Sequence, residues 1–141
     1  MLNNNVHSLS HTKWNCKYHI VFAPKYRRKE FYGYRRLEIG AILRELCSWK
    51  GVNIISAEVC PDHVHMLISF KPKYAASSIV KALKGASARA WFRQYPATKK
   101  LLWKGHLWSP SFFMSTVGNV SEKIVKKYIE DQMKKSTQES H

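Results

Sequence analysis

Hydrophobic periodicity along this chain changes in a fixed order, and that order restricts the folds open to it. Trp14 to Ala23 alternates and is rich in β-branched and aromatic residues, which predicts a strand closed by Pro24. From Glu30 to Lys50, Leu37, Ile39, Ile42, Leu43, Leu46 and Cys47 recur at helical spacing, and the pattern stops at Gly51. Val52 to Cys60 and His63 to Phe70 predict two more strands, joined by a turn at Pro61 and Asp62. Ser77 is placed to cap a helix reaching about Gln94, with Ile79, Leu83, Ala86 and Ala90 inward and Pro96 at its end. Residues 97–111, with Trp103, Gly105, Trp108 and Pro110, read as irregular. Phe112 to Val117 predicts a fourth strand, and Asn119 with Glu122 resembles a capping box opening a last helix to about Lys135. The order β-α-β-β-α-β-α is a split βαβ arrangement. The expected fold is α+β and ferredoxin-like: a four-stranded, mainly antiparallel sheet with helices on one face, plus an extra C-terminal helix carrying Tyr128.

With 141 residues there is room for one domain, expected over residues 13–135 with flexible ends at 1–12 and 136–141. Hydrophobic residues at 45% and charged residues at 23% suit a globular chain, but the balance of sign does not average out. Twenty-four Lys and Arg against nine Asp and Glu give a formal charge of +15. A field of that sign favours a polyanionic partner, nucleic acid ahead of an anionic membrane surface. Between His63 and Ser121 there is no acidic residue, while Lys71, Lys73, Lys81, Lys84, Arg89, Arg93, Lys99, Lys100 and Lys104 fall there. A second cluster comprises Lys25, Arg27, Arg28 and Lys29. No apolar run approaches the roughly 18 residues of a membrane span, and the polar start through Thr12 lacks a signal-peptide centre. Cys16, Cys47 and Cys60 are odd in number and without paired spacing, so reduced thiols and a cytoplasmic location are expected.

Two constellations bear chemistry. On a strand, residues two apart share a face, so His63 and His65 leave the sheet side by side and can chelate one divalent ion; Val64 and Leu67 are assigned to the other face. The same spacing also suits two histidines on a half-solvated surface. On the last helix Tyr128 and Gln132, four apart, stand one above the other. Val120 and Ile124 lie in the same row, so Tyr128, taken alone, reads as the polar end of a buried apolar stripe. Cys60 with His63 and His65 resembles an incomplete zinc set, lacking the fourth ligand such a site needs. His7, His11, His19, His106 and His141 read as surface or packing residues. Asp62 reads first as a turn residue and second as a partner that orients a histidine.

The ordered blocks PDHVHMLISF, SSIVKALKG, LWSPSFFMSTVG and KYIEDQ resemble the single-tyrosine transposases of the smallest bacterial and archaeal insertion sequences, a branch of the HUH nucleases. The likeness runs from about Trp14 to Met133. It implies that His63, His65 and Gln132 hold a divalent metal, Mg²⁺ with Mn²⁺ as a competent substitute. It implies that Tyr128 attacks a phosphodiester of single-stranded DNA, leaving a 5′-phosphotyrosine and a free 3′-hydroxyl that permit rejoining without ATP. It further implies a homodimer with composite active sites and recognition of hairpins near the element's ends. Lys25, Arg27, Arg28, Lys81, Lys84, Arg89 and Arg93 become candidates for DNA-backbone contacts. Two other readings fit much of the same pattern. One is a domesticated relative or replication-type nickase. The other is a non-catalytic single-stranded nucleic-acid-binding module on a ferredoxin-like sheet.

Overall fold

Strands Lys17–Phe22 (β1), Asn53–Cys60 (β2), His63–Ser69 (β3) and Phe113–Val117 (β4) form one sheet in the order β2-β3-β1-β4. Every neighbouring pair is antiparallel. The computed structural model describes residues 16–71, 74–101 and 106–139. Helices Arg35–Lys50 (α1), Ala76–Gln94 (α2), Pro96–Leu101 (α3) and Asn119–Glu139 (α4) complete it, in the split βαβ order that the sequence predicts.

The two faces of the sheet are covered unequally. Ile20 and Phe22 of β1 and Val64, Met66 and Ile68 of β3 alternate onto one face, where Ile39, Leu43 and Cys47 of α1 and Ile79, Val80, Leu83 and Trp91 of α2 bury them. On the opposite face a much smaller cluster of Leu67, Val117 and Ile129, with Ile55 and Val125 against it, seats α4. A register shift between Ile54 and Ser56 lets Ile54 join the large core while Ile55 joins the small one. Leu67 is therefore on the histidine face, not the opposite one. The two-residue period of a strand demands this, because 63, 65 and 67 share parity.

Several boundaries differ from expectation for local reasons. The first helix starts at Arg35 and not Glu30, because Gly33 at φ 56° turns the chain and Glu30 faces inward. There one carboxylate oxygen, Glu30 Oε1, accepts from Arg35 Nη1 at 2.9 Å, Thr98 Oγ1 at 3.1 Å and Trp91 Nε1 at 3.2 Å. Gly51, at φ 70°, ends α1 as the periodicity indicated, and the amide of Val52 closes onto the Cys47 carbonyl at 2.8 Å. Ser77 does not cap α2; Ala75 occupies the cap position and makes no side-chain cap bond. Pro96 ends α2 and at once opens α3, where its missing N–H costs nothing. Part of the stretch expected to be irregular is therefore helical, while Trp103 and Gly105 lie outside the described residues. Glu122, expected to take part in a capping box, is engaged elsewhere, while the side chain of Asn119 lies outside what the structure describes. The Glu122 carboxylate pairs with Lys17 Nζ at 2.8 Å, and the Ser121 hydroxyl caps Gly118. The last helix continues past Lys135 to Glu139, and the expected N-terminal segment 1–12 lies outside the described residues.

Candidate active site

The central place of β1 brings a third imidazole to the pair on β3. Val21 lies opposite His65 and His19 opposite Leu67, so all four side chains rise from the face that α4 crosses. His19 Nε2 is 3.4 Å from His65 Nδ1, their rings stack with centroids 5.6 Å apart, and the His63 ring is 4.5 Å from that of His65. His19, which the sequence alone reads as a surface or packing residue, thus belongs to the site. The only available signal was its odd parity on a strand, and parity carries no register.

Over these rings α4 places Tyr128, whose ring centroid is 5.3 Å from His65 and 6.2 Å from His19. Tyr128 is 46% exposed, and Ile124, one turn earlier, is exposed as well. The buried side of α4 is made by Val125 and Ile129, so Tyr128 is not the end of a buried apolar stripe. Gln132, one turn beyond Tyr128, lines the same cleft of about 530 Å³ as His19, His63, His65, Arg27 and Phe113.

Hydrogen bonding and burial set the protonation of the rings. His63 Nδ1–H donates to Asp62 Oδ1 at 2.6 Å, which leaves Nε2 as the ring nitrogen that Asp62 does not engage. Burial pushes the Asp62 carboxyl up, but the bond from His63 and the charges of His63 and Arg27 outweigh it, and the net shift is downward. The turn residue Asp62 is therefore also the residue that orients His63. Burial, followed by the charges of His63, His19 and Arg27, lowers the His65 pKa to about 4, so this ring is neutral at physiological pH. Burial also lowers that of His19. His65 Nε2 is buried without a hydrogen-bond partner among the described residues. A buried polar nitrogen left unpaired is costly, and a neutral one is a metal-binding atom.

Among the described residues no three His, Cys, Asp or Glu side chains converge as a metal site, so Cys60 does not complete a zinc set. Of the basic candidates, Arg27 lines the cleft and reaches Asp62 Oδ2 at 3.3 Å through Nη2, and Lys25 lies over the Tyr26 ring at 5.6 Å. Arg28 is exposed just beyond. Lys81, Arg89 and Arg93 are exposed on α2, across the sheet from Tyr128. Lys84 is half-buried and its ammonium donates to the Ser109 carbonyl at 2.6 Å, so it braces a loop.

Residues 12–132 match the family described as transposase, IS200 like. The transposase for insertion sequence element IS200 of Salmonella typhimurium is 48% identical over 126 residues, covering 89% of this chain and 82% of that one. The ISDra2 transposase TnpA of Deinococcus radiodurans is 42% identical over 119 residues, covering 84% and 85%. Among solved structures, one from Deinococcus radiodurans R1 described as a transposase superposes with a TM-score of 0.68 at 37% identity, covering 82% of this chain and 89% of that one. A REP-associated tyrosine transposase bound to a REP hairpin shares the fold, with a TM-score of 0.62 at 15% identity over 82% of this chain and 64% of that one. These likenesses remove the reading as a non-catalytic binding module: the chain belongs to the IS200-like transposase family and is an enzyme of DNA transposition.

Proposed function

We propose that this transposase cuts and rejoins single-stranded DNA at the histidine cleft, with Tyr128 as nucleophile. The observation that carries the reading is the approach of the Tyr128 ring to 5.3 Å from His65, over the cleft that Gln132 and His63 also line. The phenol oxygen attacks the phosphorus, the 3′-oxygen leaves, and the 5′-phosphate stays on Tyr128. The bond energy kept in that ester lets a second 3′-hydroxyl reverse the step without ATP.

The donors suit a divalent ion: two imidazoles side by side, that of His65 neutral with a buried unpaired nitrogen, and an amide beside them. His63, His65 and Gln132 would hold Mg²⁺, with Mn²⁺ as substitute, since imidazole leans toward transition ions. When bound, the ion supplies Lewis-acid polarisation of the phosphate. Asp62 holds the His63 ring in the tautomer that offers Nε2, and Arg27 places positive charge where the phosphate enters. The enzyme works in the cytoplasm as a homodimer on hairpin-bearing ends of its element. Identity of 48% to an insertion-sequence transposase favours a mobile element over a domesticated nickase.

The test is incubation of a labelled single-stranded oligonucleotide from the gene's flanking DNA with the protein and Mn²⁺, with the adduct read by mass. Wild type forms a covalent adduct, while Tyr128→Phe binds but forms none, and EDTA suppresses the wild-type product. An adduct on Tyr128→Phe would remove the nucleophile assignment.

A further inference from the structure

We propose that the groove adjoining the histidine cleft is a subsite for one unpaired DNA base next to the scissile phosphate, stacked against Tyr26. The proposal rests on the reading of the cleft as the place of strand cutting. The groove, of about 440 Å³, is bounded by Tyr26, Ser109, Ser111, Phe112 and Phe113, and it shares Arg27, His63 and Phe113 with the cleft. A strand whose phosphate sits at the histidines therefore has a continuous path into it.

Three features equip this groove for a base. First, Tyr26 is 69% exposed and Phe113 is also exposed, although neither contributes to the core. Exposed aromatic rings beside a basic path are what single-stranded nucleic-acid sites use, because every base has a π-face to stack; Lys25 Nζ, 5.6 Å over the Tyr26 ring, takes one face and leaves the other to the base. Second, Tyr26 and Arg27 stand at φ 62° and φ 51°, a left-handed conformation that a bulky residue adopts only under constraint. The constraint is visible in the amide of Lys25 donating to the Leu107 carbonyl, that of Arg27 to Pro24, and that of Ser109 to Ala23, each at 2.8 Å. Strain held in place this firmly gathers where it positions a side chain for use. Third, the opposite wall is braced from behind: Lys84 Nζ donates to the Ser109 carbonyl at 2.6 Å and lies 5.3 Å over the Phe112 ring. A wall already ordered adds little entropy cost on binding.

The chemistry selects the occupant. Arg27, 67% exposed at the junction of groove and cleft, is placed to meet the phosphate that links the base to the scissile position. The Ser109 and Ser111 hydroxyls, 3.5 Å apart, offer donors and acceptors to a base edge. A base within a duplex has both faces covered, so the occupant is unpaired.

The experiment uses Tyr128→Phe, which needs no chemistry, and a single-stranded oligonucleotide from the flanking DNA with 2-aminopurine walked through successive positions. Binding quenches the fluorescence at one position. In Tyr26→Gly/Tyr128→Phe the quench at that position disappears and binding weakens about tenfold, within the range for loss of one stacked base. Glycine accepts the same φ, so the loop keeps its path; Tyr26→Trp retains both quench and affinity. Phe113→Leu, changed on a different element, gives the same loss. Quenching at no position, or a quench unchanged in Tyr26→Gly, overturns the subsite. The adduct assay on wild type reports separately. An adduct without any quench sinks the subsite alone, and a quench without an adduct sinks the cutting reaction and leaves the base groove standing.

Discussion

His65 is 4% exposed, and its surroundings decide its charge. Facing it are His63, His19, Arg27 and Asp62, of which only Asp62 favours the imidazolium. Its folded pKa of about 4 lies below the ordinary 6.5, so between those values the unfolded chain binds the extra proton. In the metal-free protein this contribution to stability is therefore fully present above about pH 6.5 and is lost as the pH falls toward about 4. Its size is on the order of 3 kcal/mol, because each tenfold drop in proton affinity on folding is worth about 1.4 kcal/mol. Urea unfolding in EDTA at stepped pH should show that decline, and His65→Gln should flatten it. A slope unchanged in His65→Gln would mean that another group carries it. His19 is the complementary case. Nothing in the pentapeptide around it distinguishes it from a packing histidine, and it becomes part of the site only through the pairing of β1 with β3.

At the scale of elements, the weak point is the seat of α4. The large core locks α1 and α2 onto one face, but α4 is held by Leu67, Val117 and Ile129, by Ile55 and Val125 at the edge, and by the Lys17–Glu122 ion pair. Elements with few buried contacts open locally before the domain unfolds. Ile129 is 1% exposed and lies on the turn that carries Tyr128. Ile129→Ala should cost about 2–4 kcal/mol, by lost transfer energy and the cavity left behind. Hydrogen exchange should show the loss concentrated in α4, with α1 and α2 still protected, and adduct formation should slow at least tenfold because Tyr128 is no longer held over His65. Equal loss of protection in α1 would show that α4 is integral to the main core.

Over the whole molecule, +15 of formal charge is far more than one active site needs. Arg27 meets the cleft, whereas Lys81, Arg89 and Arg93 stand on α2 beyond the sheet, so the basic surface extends around the domain. Binding to single-stranded DNA from the gene's flanks should weaken steeply with salt. Engagement of six or more phosphates predicts roughly a thousandfold loss between 50 and 200 mM. Filter binding of Tyr128→Phe across that range measures it, and a loss below tenfold would confine DNA contact to the cleft.

Order and type of the elements were legible in the chain itself because periodicity is local: H-V-H alternates on β3, Leu37 to Cys47 repeat as a helix, and Gly51 stops it. The pairing of Tyr128 with the histidines came only from resemblance, since no local pattern links residue 128 to residue 65. Helix caps depart from expectation because Ala75, not Ser77, occupies the cap position of α2, and in the fold Lys17, from the far end of the sequence, claims Glu122. Tertiary structure alone decided that β1 lies between β3 and β4, that α4 returns across the histidine face, and that Tyr26 is forced to a positive φ beside the cleft. Each of these is a long-range pairing, settled by which surfaces bury one another and so absent from any short stretch of residues.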